Sequence, residues 1–216
     1  MTLRTTRRSR YRLSTIGLMT IAGTLLTFAA APMPASAETP TASNPDVRAA
    51  AQRISQGRPS SGDLALIRSV PGLAEKVVDP SRTTITESEG ALATGSAQPN
   101  AAEVCAWRVQ DLSQRSTLGF TIFTWRHYVE WCYNGQSVTR WRNRFDQLLY
   151  NDGTVVPGGL LINVKTPTPG VTASSRFQRS LQQCVATVGC WATYVPWSQI
   201  NVTRTGASSA SWGGIN

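Results

Sequence analysis

Residues 119–144 read GFTIFTWRHYVEWCYNGQSVTRWRNR. Asn134-Gly135 at the centre is a strong hairpin signal, because a type I′ turn needs positive φ at both central residues. β-Branched and aromatic residues dominate on either side, and no helical period competes. A two-residue loop fixes the register of the predicted hairpin. Trp131 faces Val138, Val129 faces Arg140, His127 faces Arg142 and Trp125 faces Arg144. One side then interleaves Trp125, His127 and Trp131 with Arg140, Arg142 and Arg144. The other carries Arg126, Tyr128, Glu130 and Cys132 against Ser137, Thr139, Trp141 and Asn143. Three arginines are not buried without partners, so the first side is expected to face water at its arginine end. The Tyr128/Glu130/Cys132/Trp141 side is expected to be core, where Glu130 fits least well. A bulge or a longer loop would shift the register and dissolve the grouping.

Beyond the hairpin, period-two segments rich in Val, Ile, Phe, Trp, Tyr and Thr continue to the C-terminus. Turn residues punctuate them at Asn151-Asp152-Gly153, Pro157-Gly158-Gly159, Thr166 to Gly170 and Gly206. The predicted strands are 105–111, 117–133, 136–145, 160–165, 172–186, 190–195 and 198–204. This pattern defines a mainly β class, an antiparallel sandwich or a barrel-like sheet pair, over a domain at 104–216. All seven tryptophans follow residue 104, which puts the core there.

The segment before it, 38–80, has helical character. Pro45 suits a first helical position, Val47, Ala50, Ala51 and Ile54 share one face, and Gly57 suits a C-terminal cap. A second short helix starts at Ser61, with Asp63 in its first turn and Leu64, Leu66 and Ile67 to bury. Pro71-Gly72 turns the chain, Leu73, Val77 and Val78 add an apolar turn, and Asp79-Pro80 stops it. So thin an apolar stripe must pack on something else. Residues 81–103, rich in Thr, Ser, Gly, Ala and Glu, read as a flexible linker.

Residues 1–37 read as a secretory signal peptide: five arginines, an apolar run over Ile16–Ala31, two prolines and Ala35-Ser36-Ala37 before Glu38. The match of Arg7-Arg8 to a twin-arginine signal is weak, and general secretion is the expectation. The formal net charge of +9 comprises 21 basic and 12 acidic residues, so removing the five leader arginines leaves an excess of four. Residues 38–103 carry six basic and eight acidic side chains, and residues 104–216 carry ten and four, so the basic character belongs to the β region. Its four cysteines, Cys105, Cys132, Cys184 and Cys190, are an even number, as disulfides in an exported chain require. Three connectivities are open. Cys105–Cys132 with Cys184–Cys190 is favoured because each pair joins neighbouring segments. No CxxC or Cys/His spacing supports a metal, and no Walker loop or dinucleotide fingerprint supports a cofactor.

The layout of DLALIRSVPGLAEKVVDP (63–80), CAWRV (105–109), GFTIFTWRHYVEWCYNG (119–135) and the late Cys184–x5–Cys190 resembles a family of secreted actinobacterial proteins. The resemblance covers most of the mature chain. No activity is assigned to that family, so it carries over no catalytic or binding residue.

The residues themselves suggest three readings. In the leading one the domain is not an enzyme. It binds a cell-wall or other anionic polymer through Trp125, His127, Trp131, Arg140, Arg142 and Arg144, since rings and guanidinium groups suit such ligands. The second is a secreted hydrolase acting on glycans or esters and using Glu130 with Asp146 or His127, the only histidine. The third is a secreted toxin or inhibitor whose residues 38–103 form a pro-segment.

Overall fold

A computed structural model describes residues 45–92 and 103–214. The expected leader, residues 38–44 and residues 93–102 of the expected linker lie outside the described residues. Among these residues two helices come first, α1 (Pro45–Ser55) and α2 (Ser61–Ser69). Nine strands follow: β1 (Val78–Ala91), β2 (Val104–Ser116), β3 (Thr121–Tyr133), β4 (Val138–Asn151), β5 (Val155–Lys165), β6 (Thr172–Val185), β7 (Gly189–Tyr194), β8 (Trp197–Thr203) and β9 (Ser208–Gly213). Sheet A is an antiparallel meander in the order β1-β2-β3-β4. Sheet B runs β5-β6-β8-β9, with β7 beside the second half of β6.

The sheets pack face to face as a mainly β sandwich, as the period-two pattern predicts. One shared cluster joins Leu112, Phe123 and Trp125 of sheet A to Val155, Phe177, Leu181 and Tyr194 of sheet B. A second joins Val129, Trp131 and Val138 to Ala173, Ile200 and Val202. Trp125 and Trp131 are each 1 % exposed. Truncating either to alanine would cost about 3–5 kcal/mol.

The helices follow the sequence pattern closely. Val47, Ala50, Ala51 and Ile54 are buried on one face of α1. Asp63 accepts the Ser60 N–H at 2.8 Å, opening α2, and takes a two-point bond from Arg53 of α1. That guanidinium holds the Asp63 carboxyl well below the usual carboxylate range, against the opposing effect of burial. The thin apolar stripe is completed by β7 and the turn before it: Val188 and Trp191 join the helix cluster, and Trp191 Nε1 donates to Ser55 Oγ at 3.2 Å.

The linker expectation fails at its first half. Residues 78–91 form β1, which pairs with β2 from Val78↔Ser116 to Ala91↔Ala106. The polar composition misled because β1 is an edge strand with mainly exposed side chains. Val78 is nonetheless fully buried in the inter-sheet core, with Ile85 packed beside it. The domain boundary at 104 therefore cuts through sheet A, and a pro-segment of 38–103 would carry an edge strand with it. The strand β9 lies beyond the expected strands, because its Ser/Gly/Ala composition resembles a loop.

A fragment of residues 104–216 should consequently lack a cooperative thermal transition and near-ultraviolet dichroism, whereas residues 38–216 show both. Independent folding of 104–216 would restore the linker reading.

Candidate functional site

The hairpin turns over a longer loop than Asn134-Gly135 alone implies. Tyr133 pairs with Val138, so the loop spans 134–137. Asn134 Oδ1 accepts the N–H groups of Gln136 (3.0 Å) and Ser137 (2.9 Å), and Gly135 takes φ +83°. The register then shifts three times along β4. Cys132 pairs with Arg140, Trp131 with Trp141, Glu130 with Asn143 and Thr124 with Tyr150, leaving Thr139, Arg142 and Leu149 as the extra residues of three bulges.

These shifts correct the predicted surface. Trp125, His127 and Trp131 do share a face, but it is the inner one, and His127 is 0 % exposed. The three arginines part company. Arg140 moves to the outer face and pairs with Glu103 at 2.8 Å. Arg142 stands exposed at its bulge. Arg144 turns inward, its guanidinium 4.5 Å from the Phe177 ring centroid. The arginine burial that argued for a wet face is met with partners: Arg144 donates to Ser175 Oγ, Asn163 Oδ1 and the Val164 carbonyl.

His127 links the two sheets. Its Nδ1 lies 2.9 Å from Ser198 Oγ and its Nε2 2.9 Å from Ser175 Oγ. The proton positions follow from the ends of the chain. The Glu87 carboxylate only accepts, so Gln110 turns Nε2 to it at 2.7 Å and offers Oε1 to the Ser198 hydroxyl at 2.6 Å. Ser198, having donated, accepts from His127 Nδ1–H. Nε2 carries no proton and accepts from Ser175, whose oxygen accepts Arg144 Nε–H at 3.0 Å. One direction of donation thus runs from the Arg144 guanidinium through Ser175, His127, Ser198 and Gln110 to Glu87. Burial, reinforced by the Arg144 charge and opposed by Asp146 and Ser198, pushes the imidazole pKa down to about 3.

Ser175 and His127 have the spacing of a nucleophile and its base, but both are 0 % exposed, so no substrate reaches them. The predicted hydrolase group does not assemble. Glu130 is on the outer face of sheet A, while Asp146 pairs with His127 on the inner face. Burial raises the Asp146 pKa less than its partners lower it. It is bound by Arg179 through two atoms and by Trp125 Nε1 at 2.9 Å.

The side of Tyr128 and Glu130, expected to be core, is the outer face of sheet A, and it holds an aromatic row. Trp107 of β2 and Tyr128 of β3 lie 6.5 Å apart at 13°, and Tyr128 and Phe145 of β4 lie 4.9 Å apart at 21°. All three are partly buried. Trp107 lies across Gly90 of β1, where a Cβ would sit 2.9 Å from its Nε1. Tyr128 donates to Glu130 at 2.7 Å, and burial together with this bond raises the phenol pKa to about 12. Arg126 grips Asp111 through two bonds of 2.7 Å. Period two alone put Arg126, Tyr128 and Glu130 on one face. The Tyr128–Phe145 pairing was illegible, because it depends on the bulges at Thr139 and Arg142.

Both favoured disulfides are present, Cys105–Cys132 and Cys184–Cys190. Glu103 lies beside the first, but its sulfurs are committed to each other. A polar cleft of about 330 Å³ between α1 and β7 is lined by Gln52, Ser55, Gln56, Gln182, Trp191 and Thr193 among others. No protein-family profile, curated protein or solved structure matches the chain.

The relay has a pH signature. The folded His127 pKa of about 3 lies below the ordinary 6.5, so between these values the unfolded chain binds a proton that the folded chain refuses. The contribution is full above pH 6.5 and is lost as pH falls toward 3. Unfolding of the wild type between about pH 5.5 and 4 should take up about one more proton than unfolding of His127→Gln. A His127 NMR titration with a midpoint near 6.5 in the folded protein would contradict the assignment.

Proposed function

We propose that this protein is an extracellular glycan-binding module whose platform is the outer face of sheet A. The carrying observation is the Trp107–Tyr128–Phe145 row. Sugar rings present C–H faces that stack on aromatic rings, while their hydroxyl edges need paired donors and acceptors. Glu130, the Arg126–Asp111 pair and Arg142 supply those groups beside the row.

The charge balance favours a neutral glycan over the polyanion expected from the arginine count. Toward the aromatic row, Arg126, Arg140 and Arg142 stand against Asp111, Glu103 and Glu130, two of these three arginines are already paired, and the exposed Arg115 lies at the far end of β2. The excess of basic residues in the β region is instead spread through the sandwich. Arg108, for instance, is taken up by Glu87 and Glu89 of β1. The expected leader and the two disulfides support export, and no helix among the described residues is long and apolar enough to cross a membrane.

Binding should be seen by affinity electrophoresis on at least one of soluble β-glucan, α-glucan, xylan or mannan. The double variant Trp107→Ala, Tyr128→Ala should bind that glycan at least tenfold more weakly, a change of about 1.4 kcal/mol, with its thermal transition still cooperative. Wild-type protein retarded by none of these glycans, or a folded double variant retarded as strongly as wild type, would refute the proposal.

A further inference from the structure

The opposite surface of the sandwich has a different chemistry. The outward side chains of sheet B include Ser174, Gln178, Gln199, Asn201, Ser209 and Ser211, paired in register across β6, β8 and β9. No carboxylate occupies an outward position on these three strands. Its cation, Arg176 on β6, sits opposite Gln199 and one step from Trp197.

Arg176 is held ready without being neutralised. Its guanidinium lies 4.8 Å from the centroid of the Trp197 ring. Its Nε is buried without a hydrogen-bond partner, and the group makes no ion pair among the described residues. The indole beneath it is itself fixed, because Trp197 lies across Gly213, where a Cβ would come within 2.8 Å of its Nε1. Cation–π contact fixes the plane of a guanidinium while leaving its outer N–H groups free to donate.

The neighbouring amides are oriented as well. Gln199 Nε2 donates to Asn201 Oδ1 at 3.0 Å, and Gln178 Nε2 donates to the Val195 carbonyl at 3.3 Å. Each spends a donor on the protein and keeps its Oε1 without a partner among the described residues. Such carbonyl oxygens accept from sugar hydroxyls and repel densely charged anions.

We propose that this face binds a carboxylate-bearing glycan, a uronic acid polymer, with Arg176 on the carboxylate and Gln178 and Gln199 on adjacent hydroxyls. A planar, singly charged carboxylate matches one guanidinium fork. A sulfated or phosphorylated polymer would need several cations, and this face offers one. The site is separate from the platform on sheet A and does not rest on that reading.

The test is titration of the protein with polygalacturonate by calorimetry. Fully methyl-esterified polygalacturonate and dextran sulfate serve as comparators. Two variants probe the site: Arg176→Gln removes the cation, and Gln199→Glu places an internal carboxylate opposite it. Each should weaken polygalacturonate binding at least tenfold, and esterification should do the same. Trp107→Ala, Tyr128→Ala should leave it within twofold, which separates this site from sheet A. If Arg176→Gln does not fold, Gln199→Glu decides. The proposal is overturned if wild type does not bind polygalacturonate, or if the folded variants bind it as tightly as wild type. Equal binding of the methyl ester or of dextran sulfate also overturns it.

Discussion

The neutral imidazole of His127, bonded at both nitrogens between the sheets, is the constraint on which the sandwich turns. A buried polar group left unpaired costs about 1–3 kcal/mol, so every partner in the series must be in place together. Ser175 comes from β6 and Ser198 from β8, which fixes sheet B beneath β3. Gln110 and Glu87 come from β2 and β1, and Arg144 from β4, so the same series spans all of sheet A. A slip of one residue in β3 would expose His127 and send Tyr128 and Glu130 inward. The relay thus opposes the slip that period two alone permits.

This constraint explains the first two of the three bulges in β4. Without the extra residues Thr139 and Arg142, neither Arg144 nor Asp146 would meet the inner face where it does. Arg144 closes the relay, and Asp146 takes the Arg179 guanidinium and the Trp125 indole. The irregularity that spoils the simple hairpin is what satisfies the polar groups inside it.

Much of the architecture was legible in the sequence. Alternation gave seven strands, the 3.6-residue period gave the buried face of α1, and nearness along the chain favoured the two disulfides that form. What was lost has physical causes. The strands β1 and β9 lie at sheet edges, where exposed Ser, Thr, Glu and Gly look like loop. The choice of inner face failed because arginine was judged by itself. Arg144 is tolerated inside by partners on β5 and β6, which no local reading could supply. With the face reversed, the half-buried aromatics of the outer face became Trp107, Tyr128 and Phe145, contributed by three strands. Their row could not be assembled before the register was known.

The two outer surfaces then divide by charge. Sheet A pairs most of its ions around stacked rings, while sheet B leaves one poised arginine among neutral amides and hydroxyls. Both surfaces depend on the inward placement of Trp125, His127 and Trp131. Hydroxyl-radical footprinting read residue by residue tests that placement most directly. The account predicts oxidation of Trp107, Tyr128 and the 42 % exposed Trp212, with Trp125, Trp131 and His127 protected until the protein unfolds. Oxidation of Trp125 and Trp131 in the folded protein, with Tyr128 protected, would contradict it.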